Sequence, residues 1–315
     1  MSLDGSLRGR SLVSVADLTR EEVDGLFVHA RALKDELRSR GRHQLAPLAG
    51  RTLAMIFEKP SLRTRVTFET GMTQLGGHAI YLAPADIQLG VRETVADVAR
   101  NLSRWVDGVI ARVFRHAAVA ELAEAASVPV VNALSDVEHP CQALADLFTV
   151  LERRGGLRGL TLTFVGDGNN VYHSLLLLGS LLGIHVRLAS PAGYEGDAAI
   201  FARAQAIAAG SGSRLERFRD PHEAVCDADV IYTDVWASMG QEAEAAARAR
   251  LFAPYRVDEA LVRAAGRDVV VMHCLPAHRG QEITSDVLDG AHSIVLDQAE
   301  NRMHLQKAIL VATMA

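Results

Sequence analysis

The sequence predicts an α/β protein made of two doubly wound parallel-sheet domains. Three observations carry this expectation. Short apolar runs at 52–57, 109–113, 128–131, 160–165, 230–233 and 269–272 each end abruptly in polar residues or glycine. Helical patterns alternate with them, and strand-then-helix alternation builds βαβ units with right-handed crossovers and parallel sheets. A charged, glycine-rich break, ERRGGLRG at 152–159, leaves three of the runs on either side. At 315 residues the chain also exceeds what one ordinary core encloses. Two domains are therefore expected, spanning 1–150 and 151–298.

The elements follow in order. Thr19 and Glu22 make a capping box, Leu18 and Val23 a hydrophobic staple, and Val23, Leu26, Phe27, Ala30 and Leu33 repeat at helical spacing. After the run at 52–57, the loop 58–65 opens a helix whose apolar face is Phe68, Met72 and Leu75. Pro140 suits the first position of a helix that buries Leu144, Leu147, Phe148 and Leu151. The longest apolar run, 175–184, is about half a membrane span and follows a Gly/Asn-rich turn, so it reads as a helix buried on a sheet. The stretch 241–250, rich in Ala, Glu and Arg, reads as a solvated surface helix or as a helix flanking a loop that closes as a lid.

Composition narrows the function. A hydrophobic share of 49% with 23% charged residues is globular. The net charge of -5 argues against nucleic-acid and membrane-surface partners, which need a basic field. Three widely spaced cysteines, Cys141, Cys226 and Cys274, make neither a disulfide framework nor a zinc pattern, and suit a reducing cytosol. The start MSLDGSLRGR lacks the apolar core of a signal peptide, so a soluble cytoplasmic protein is expected.

Chemistry concentrates where the apolar runs end, the carboxyl ends at which parallel sheets bind ligands. Ser61, Arg63, Thr64 and Arg65 stand at a helix mouth, where free N–H groups and the positive dipole end favour a phosphate dianion. The alternative is an N-cap with solvated arginines. Arg112 lies in an apolar run and needs an anionic partner, either a ligand or an internal carboxylate. His139 and Gln142, three apart at the next helix start, both point out of its mouth, so His139 is a donor to a carbonyl oxygen or a cap. Cys141 is assigned to packing.

In the second half, GDGNNV at 166–171 has two glycines of a dinucleotide fingerprint, but Val171 stands where the third belongs. Its paired asparagines suit a small polar ligand such as an amino-acid backbone. Asp234 ends a run and suits a primary ammonium, with Trp236, Ser238 and Met239 following. The run at 269–272 ends in His273-Cys274-Leu275-Pro276, a thiol presented by a turn that a cis Leu-Pro bond would sharpen. The stretch 297–302 precedes the final helix, which places Arg302 where it could reach a cleft.

Together these residues resemble the ornithine carbamoyltransferase family. The resemblance covers nearly the whole chain and keeps motif order: SLRTR (61–65), DIQLG (86–90), HPCQALAD (139–146), GDGNNV (166–171), YTDVWASMG (232–240), HCLPAHRG (273–280) and AENRMH (299–304). It implies a carbamoyl-phosphate domain followed by an ornithine domain, with the last helix, 299–315, returning to the first. The implied reaction carbamoylates the δ-amine of L-ornithine, giving L-citrulline and phosphate, with no metal or organic cofactor. The implied assembly is a homotrimer, or several trimers.

Residue by residue, Ser61, Leu62, Arg63 and Thr64 match the family's phosphate loop, and Arg112, His139 and Gln142 its other carbamoyl-phosphate contacts. Gln88 matches a residue that reaches in from a neighbouring subunit. Asn170, Asp234, Ser238 and Met239 match the ornithine contacts. Cys274, Leu275 and Arg302 match the junction of the two substrates, and Cys274, Arg112 and His139 are the expected catalytic groups. Most of the family has Thr where this chain has Leu62. Relatives that carbamoylate acylated ornithines share that feature, so an N-acylornithine or another amine is the alternative acceptor. A nucleotide-dependent dehydrogenase and a non-catalytic binding protein are the rivals from other classes.

Overall fold

The protein is described by a computed structural model over residues 7–237 and 242–315. The chain divides into two compact units, Met1–Phe148 with Glu300–Ala315, and Thr149–Ala299.

The first unit holds strands β1 (Thr52–Phe57), β2 (His78–Leu82), β3 (Gly108–Arg112) and β4 (Val130–Leu134), all parallel in the order β2-β1-β3-β4. Its helices are α1 (Arg20–Arg40), α2 (Leu62–Gln74), α3 (Pro84–Ile87), α4 (Val95–Leu102), α5 (His116–Ala125) and most of α6 (Pro140–Arg154). The capping box at α1 forms as its sequence requires, with Thr19 Oγ1 accepting from Glu22 N at 3.2 Å and Glu22 Oε2 from Thr19 N at 2.9 Å. On one face of the sheet, Ala54, Ile56, Val109 and Ala111 pack with Val98, Leu102, Val119 and Leu122 from α4 and α5.

The second unit holds β5 (Thr161–Val165), β6 (His185–Ala189), β7 (Leu215–Phe218), β8 (Val230–Thr233) and β9 (Val270–His273), again all parallel, in the order β7-β6-β5-β8-β9. Around it run α7 (Asn170–Leu182), α8 (Ala198–Ser211), α9 (Pro221–Val225), α10 (Ala245–Phe252), α11 (Glu259–Ala265) and α12 (Ser285–Leu288). The run at 175–184 is the buried heart of α7, with Leu175, Leu176, Leu177 and Leu178 all inaccessible to solvent. No helix among the described residues is long and apolar enough to cross a membrane.

The last helix, α13 (Val295–Met314), belongs to the first unit from Glu300 onward. Lys34 Nζ donates to Asn301 Oδ1 at 2.6 Å, and Arg38 pairs with Glu300 at 3.0 Å, which ties α13 to α1.

Three strands left no clear apolar run. β2 is an edge strand with no fully buried residue, and β7, the edge of the other sheet, is only half-buried. β6 alternates buried Val186 and Leu188 with Arg187, whose Nε meets Glu216 of β7 at 3.2 Å. Strands open to water on one side or edge need no continuous apolar stretch. Boundaries also move: β5 and β9 each begin one residue after the start of their apolar runs, and α13 begins at Val295, ahead of the stretch 297–302 expected to precede it. β4 begins after Pro129, and Arg112 is the last residue of β3, so its side chain sits at a carboxyl end.

Candidate functional site

Both sheets have a switch point, where successive crossovers leave one strand in opposite directions and open a crevice at the carboxyl ends. In the first unit it lies between β1 and β3. Ser61, Arg63 and Thr64 follow β1, Arg112 ends β3, and His139 lies between β4 and α6. The β1 loop turns into α2 with Ser61 as N-cap: Ser61 Oγ accepts from Thr64 N at 3.2 Å and donates to Thr64 Oγ1 at 3.1 Å. Arg302, arriving on α13, donates to the same Thr64 Oγ1 at 3.0 Å.

These groups share one electrostatic environment. His139 is buried, and its pKa is held well below the usual imidazole value, first by burial and then by the charges of Arg302, Arg112 and Arg63. The imidazole is therefore neutral near pH 7 and offers one N–H as a donor. Three guanidinium groups acting on one buried, uncharged side chain make a setting for an anion, since arginines so placed call for negative charge. Gln142, also buried, gives Nε2 to Asp146 Oδ1 at 2.7 Å. Its Oε1 has no hydrogen-bond partner among the described residues, a buried acceptor open to an N–H of a ligand.

Two further sequence candidates stand differently. Leu62 is the first residue of α2 and is 75% exposed, so its side chain turns away from the Ser61–Thr64 hydrogen bonds. Gln88 is exposed at the end of α3 in left-handed backbone (φ 42°), and no hydrogen bond joins it to the group around His139 among the described residues. Cys141 is wholly buried, and burial pushes its thiol up to about 12, consistent with packing alone.

In the second unit the switch point lies between β5 and β8. The turn after β5 requires its glycines: Gly166 has φ 139°, and a Cβ on Gly168 would lie 2.4 Å from Gly196 N. Gly168 thus serves close backbone packing rather than a pyrophosphate. Asn169 caps α7 through Oδ1, accepting from Val171 N and Tyr172 N at 3.0 and 3.2 Å, and its Nδ2 donates to Asp234 Oδ2 at 2.7 Å. Of the two paired asparagines, the resemblance singles out Asn170. It is the first residue of α7 and half-buried, while the bond to Asp234 is made by its neighbour. Ser238 and Met239 lie outside the described residues.

Asp234 Oδ1 accepts from Val235 N at 2.8 Å and from Cys274 Sγ at 3.0 Å. The thiol is placed by the turn after β9. His273 Nδ1 accepts from Leu275 N at 2.8 Å, which holds Leu275 at φ 58°, and its Nε2 faces Glu282 Oε1 at 3.1 Å. The proton is therefore on Nε2, donated to the carboxylate. Left-handed backbone at a leucine costs roughly 1–3 kcal/mol and persists only where its surroundings fix it. Here the His273–Glu282 pair, both fully buried, does so. The Leu275–Pro276 bond is cis.

Donor atoms of Asp234, His273 and Cys274 lie within 4.8 Å of one another. Both imidazole nitrogens are already engaged and the thiol donates to the carboxylate, so the trio is a hydrogen-bonded network. His273, Glu282 and the pair Asp167–Arg248 escaped sequence reasoning, and Asn169 was read only as one of a pair. Glu282 sits in a polar loop without periodicity, and Arg248 in a stretch that looks solvated.

Two doubly wound parallel units, one with three arginines acting on a buried histidine and one with a carboxylate–thiol pair at a strand end, are the architecture of a two-domain α/β transferase. The comparisons specify it. Residues 10–152 match the family described as "Aspartate/ornithine carbamoyltransferase, carbamoyl-P binding domain", and residues 158–313 match its "Asp/Orn binding domain". An ornithine carbamoyltransferase of Thermococcus kodakarensis is 53% identical over 309 residues, 98% of each chain. The solved ornithine carbamoyltransferase of Pyrococcus furiosus is 53% identical over 98% of each chain, with a TM-score of 0.95. That of Gloeobacter violaceus is 43% identical over 98% of this chain and all of the other, with a TM-score of 0.86. The chain belongs to the aspartate/ornithine carbamoyltransferase family.

Proposed function

We propose that this protein is an ornithine carbamoyltransferase, transferring the carbamoyl group of carbamoyl phosphate to the δ-amine of L-ornithine to give L-citrulline and phosphate. The observation that carries the reading is the neutral, buried His139 under the charges of Arg302, Arg112 and Arg63, beside the capped turn at Ser61. Such a group matches a phosphate dianion joined to a neutral carbonyl. Ser61, Arg63, Thr64, Arg112 and Arg302 neutralise the phosphate and improve it as a leaving group, while Leu62 contributes its backbone. His139, Arg112 and Thr64 donate to the carbonyl oxygen as charge gathers there, each donor contributing on the order of 10²-fold in rate. Gln142 Oε1 accepts from the carbamoyl NH₂.

Asp234, Asn170, Ser238 and Met239 hold the amino-acid substrate, and Cys274 and Leu275 orient its δ-amine. The neutral amine forms the new C–N bond, the C–O bond to phosphate breaks with its electron pair leaving on phosphate, and the ammonium product loses a proton. No covalent enzyme intermediate is needed, because holding both reactants in register supplies much of the acceleration. An acylated ornithine as acceptor rests on Leu62 alone, and the intact motifs DVWASMG (234–240) and HCLP (273–276) favour ornithine.

The biosynthetic direction is supported by a 53% identical Pyrococcus furiosus relative named as anabolic. A cytoplasmic homotrimer, with Gln88 serving a neighbouring copy, is part of the same proposal. Exposed Leu62, Val66 and Ile80 on α2 and β2 favour a face covered by another copy. Purified protein given both substrates should form citrulline and phosphate in equal amounts, and light scattering should report three chains. Absence of citrulline with ornithine, alongside product from an acylated ornithine, would overturn the assignment of acceptor.

A further inference from the structure

Arg248 turns inward from α10 beside Phe252, with 5% of its side chain exposed. It gathers three segments. One guanidinium nitrogen pairs with Asp167 in the turn after β5, and Nε donates to the carbonyl of Trp236 in the segment after β8, twelve residues upstream. The third contact, at 3.6 Å, is to exposed Glu244, the residue just before the helix. The planar group sits 4.8 Å from the ring centre of Tyr194 and 5.4 Å from that of Phe252, which also stacks on Trp236. Aromatic faces on a guanidinium fix its plane and make lysine a poor substitute.

The two loops it joins bear the carboxylate and amide of the site. Asp167 O accepts from Asn169 N at 2.7 Å, Asn169 Nδ2 donates to Asp234 Oδ2, and Asp234 Oδ1 accepts from the Cys274 thiol. Asp167 and Asp234 are close enough to repel. Burial pushes the Asp167 carboxyl up, Arg248 pulls it down, and Asp234 and Glu244 push it up again. Without the guanidinium, a half-buried second carboxylate would compete with Asp234 for any ammonium and would drive the β5 turn away from it.

We infer that Arg248 is a positioning residue for the amine-bearing substrate: by clamping Asp167 and the Trp236 carbonyl it sets the Asn169–Asp234–Cys274 line and keeps the Asp167 carboxylate engaged, so that Asp234 receives the ammonium. This rests on the proposed role of Asp234 in holding ornithine.

The test uses the full chain in a Cys226→Ser background, with Arg248→Gln, Arg248→Lys, and Arg248→Gln combined with Asp167→Asn. Arg248→Gln should raise KM for ornithine at least tenfold while KM for carbamoyl phosphate stays within twofold. Arg248→Lys should be impaired, because it keeps the charge and loses the fork. Adding Asp167→Asn, which removes the stranded carboxylate, should recover at least threefold of the lost kcat/KM. Alkylation of Cys274 by iodoacetamide, resolved by peptide mass spectrometry, should change more than threefold in Arg248→Gln and return towards the parent rate in the double variant. Equal loss for both substrates, an unaffected ornithine KM, or no recovery in the double variant would overturn the inference. If the parent makes no citrulline, the functional reading fails, and the alkylation series alone then decides whether Arg248 positions the strand ends.

Discussion

Replacing Arg302 by methionine tests the proposed anion site most directly. The side chain is buried, donates to Thr64 Oγ1 at 3.0 Å, and supplies the largest of the three charges that act on His139. Methionine fills similar space without charge, and Thr64 Oγ1 keeps the Ser61 hydroxyl as a donor. A hydrogen bond from a charged group contributes roughly 1.5–3 kcal/mol, and about 1.4 kcal/mol is a decade in affinity. Inorganic phosphate, measured by calorimetry, should therefore bind roughly 10- to 100-fold more weakly. KM for carbamoyl phosphate should rise in step. With one cation gone, the His139 pKa should climb towards its ordinary value, though burial still holds it below. The acid limb of kcat/KM for carbamoyl phosphate should move to higher pH accordingly. A variant that folds with an unchanged thermal midpoint, binds phosphate within twofold of the parent and keeps the parent's acid limb would refute the idea that these arginines share one anion with His139.

Three other perturbations bear on the remaining chemistry. Cys274→Ser keeps a donor to Asp234 but shortens its reach, so KM for ornithine should rise by roughly tenfold, about one charged hydrogen bond, with carbamoyl-phosphate KM unmoved; unchanged values for both would remove the thiol from the site. Glu282→Leu strands the His273 N–H in a buried site, a loss of roughly 1–3 kcal/mol, and should lower the thermal midpoint and kcat/KM for ornithine together, whereas a fall in carbamoyl-phosphate affinity alone would contradict it. Acid stability offers a separate check. Burial, and then Lys307, hold His304 down to about 4. Its folded pKa lies below the ordinary value of 6.5, so its neutral form matches the fold above that pH, and stability is lost as pH falls from 6.5 towards 4. The span corresponds to roughly 3 kcal/mol by linkage. His304→Gln should flatten that acid slope in melting curves recorded from pH 7 to 4, and an identical slope would exclude it. For the parent, the free primary amine, with a pKa of about 10.4, should make turnover climb between pH 6 and 9, because His139 stays neutral throughout; a flat rate with chemistry limiting would disagree.

Much of the fold was legible because each local signal agreed with the global one. Thr19 and Glu22 cap α1, Phe68 and Met72 face inward on α2, and the leucines of α7 are buried, as periodicity demands. The strands that escaped notice, β2, β6 and β7, are those whose solvent-facing residues break the apolar run. At the site, Ser61, Arg63, Arg112 and His139 were legible because each places a polar side chain at the end of an apolar strand, where a non-functional protein has little reason to keep one. Asn169 was not, because which of two adjacent asparagines meets Asp234 depends on the pitch of the turn between Gly166 and the first residue of α7.

Composition, strand-ending polar groups and motif order are properties of neighbours along the chain, and they determined the two-unit α/β class and the kinds of side chain available for catalysis. Only the tertiary structure decided which distant groups act on one another. Arg302 lies 238 residues from the threonine it binds, Arg248 lies 81 from Asp167, and Glu282 is sealed against His273 within a polar loop. Charge interactions, burial and tautomer choice depend on through-space distance and exclusion of water, and neither quantity is carried by any local stretch of sequence.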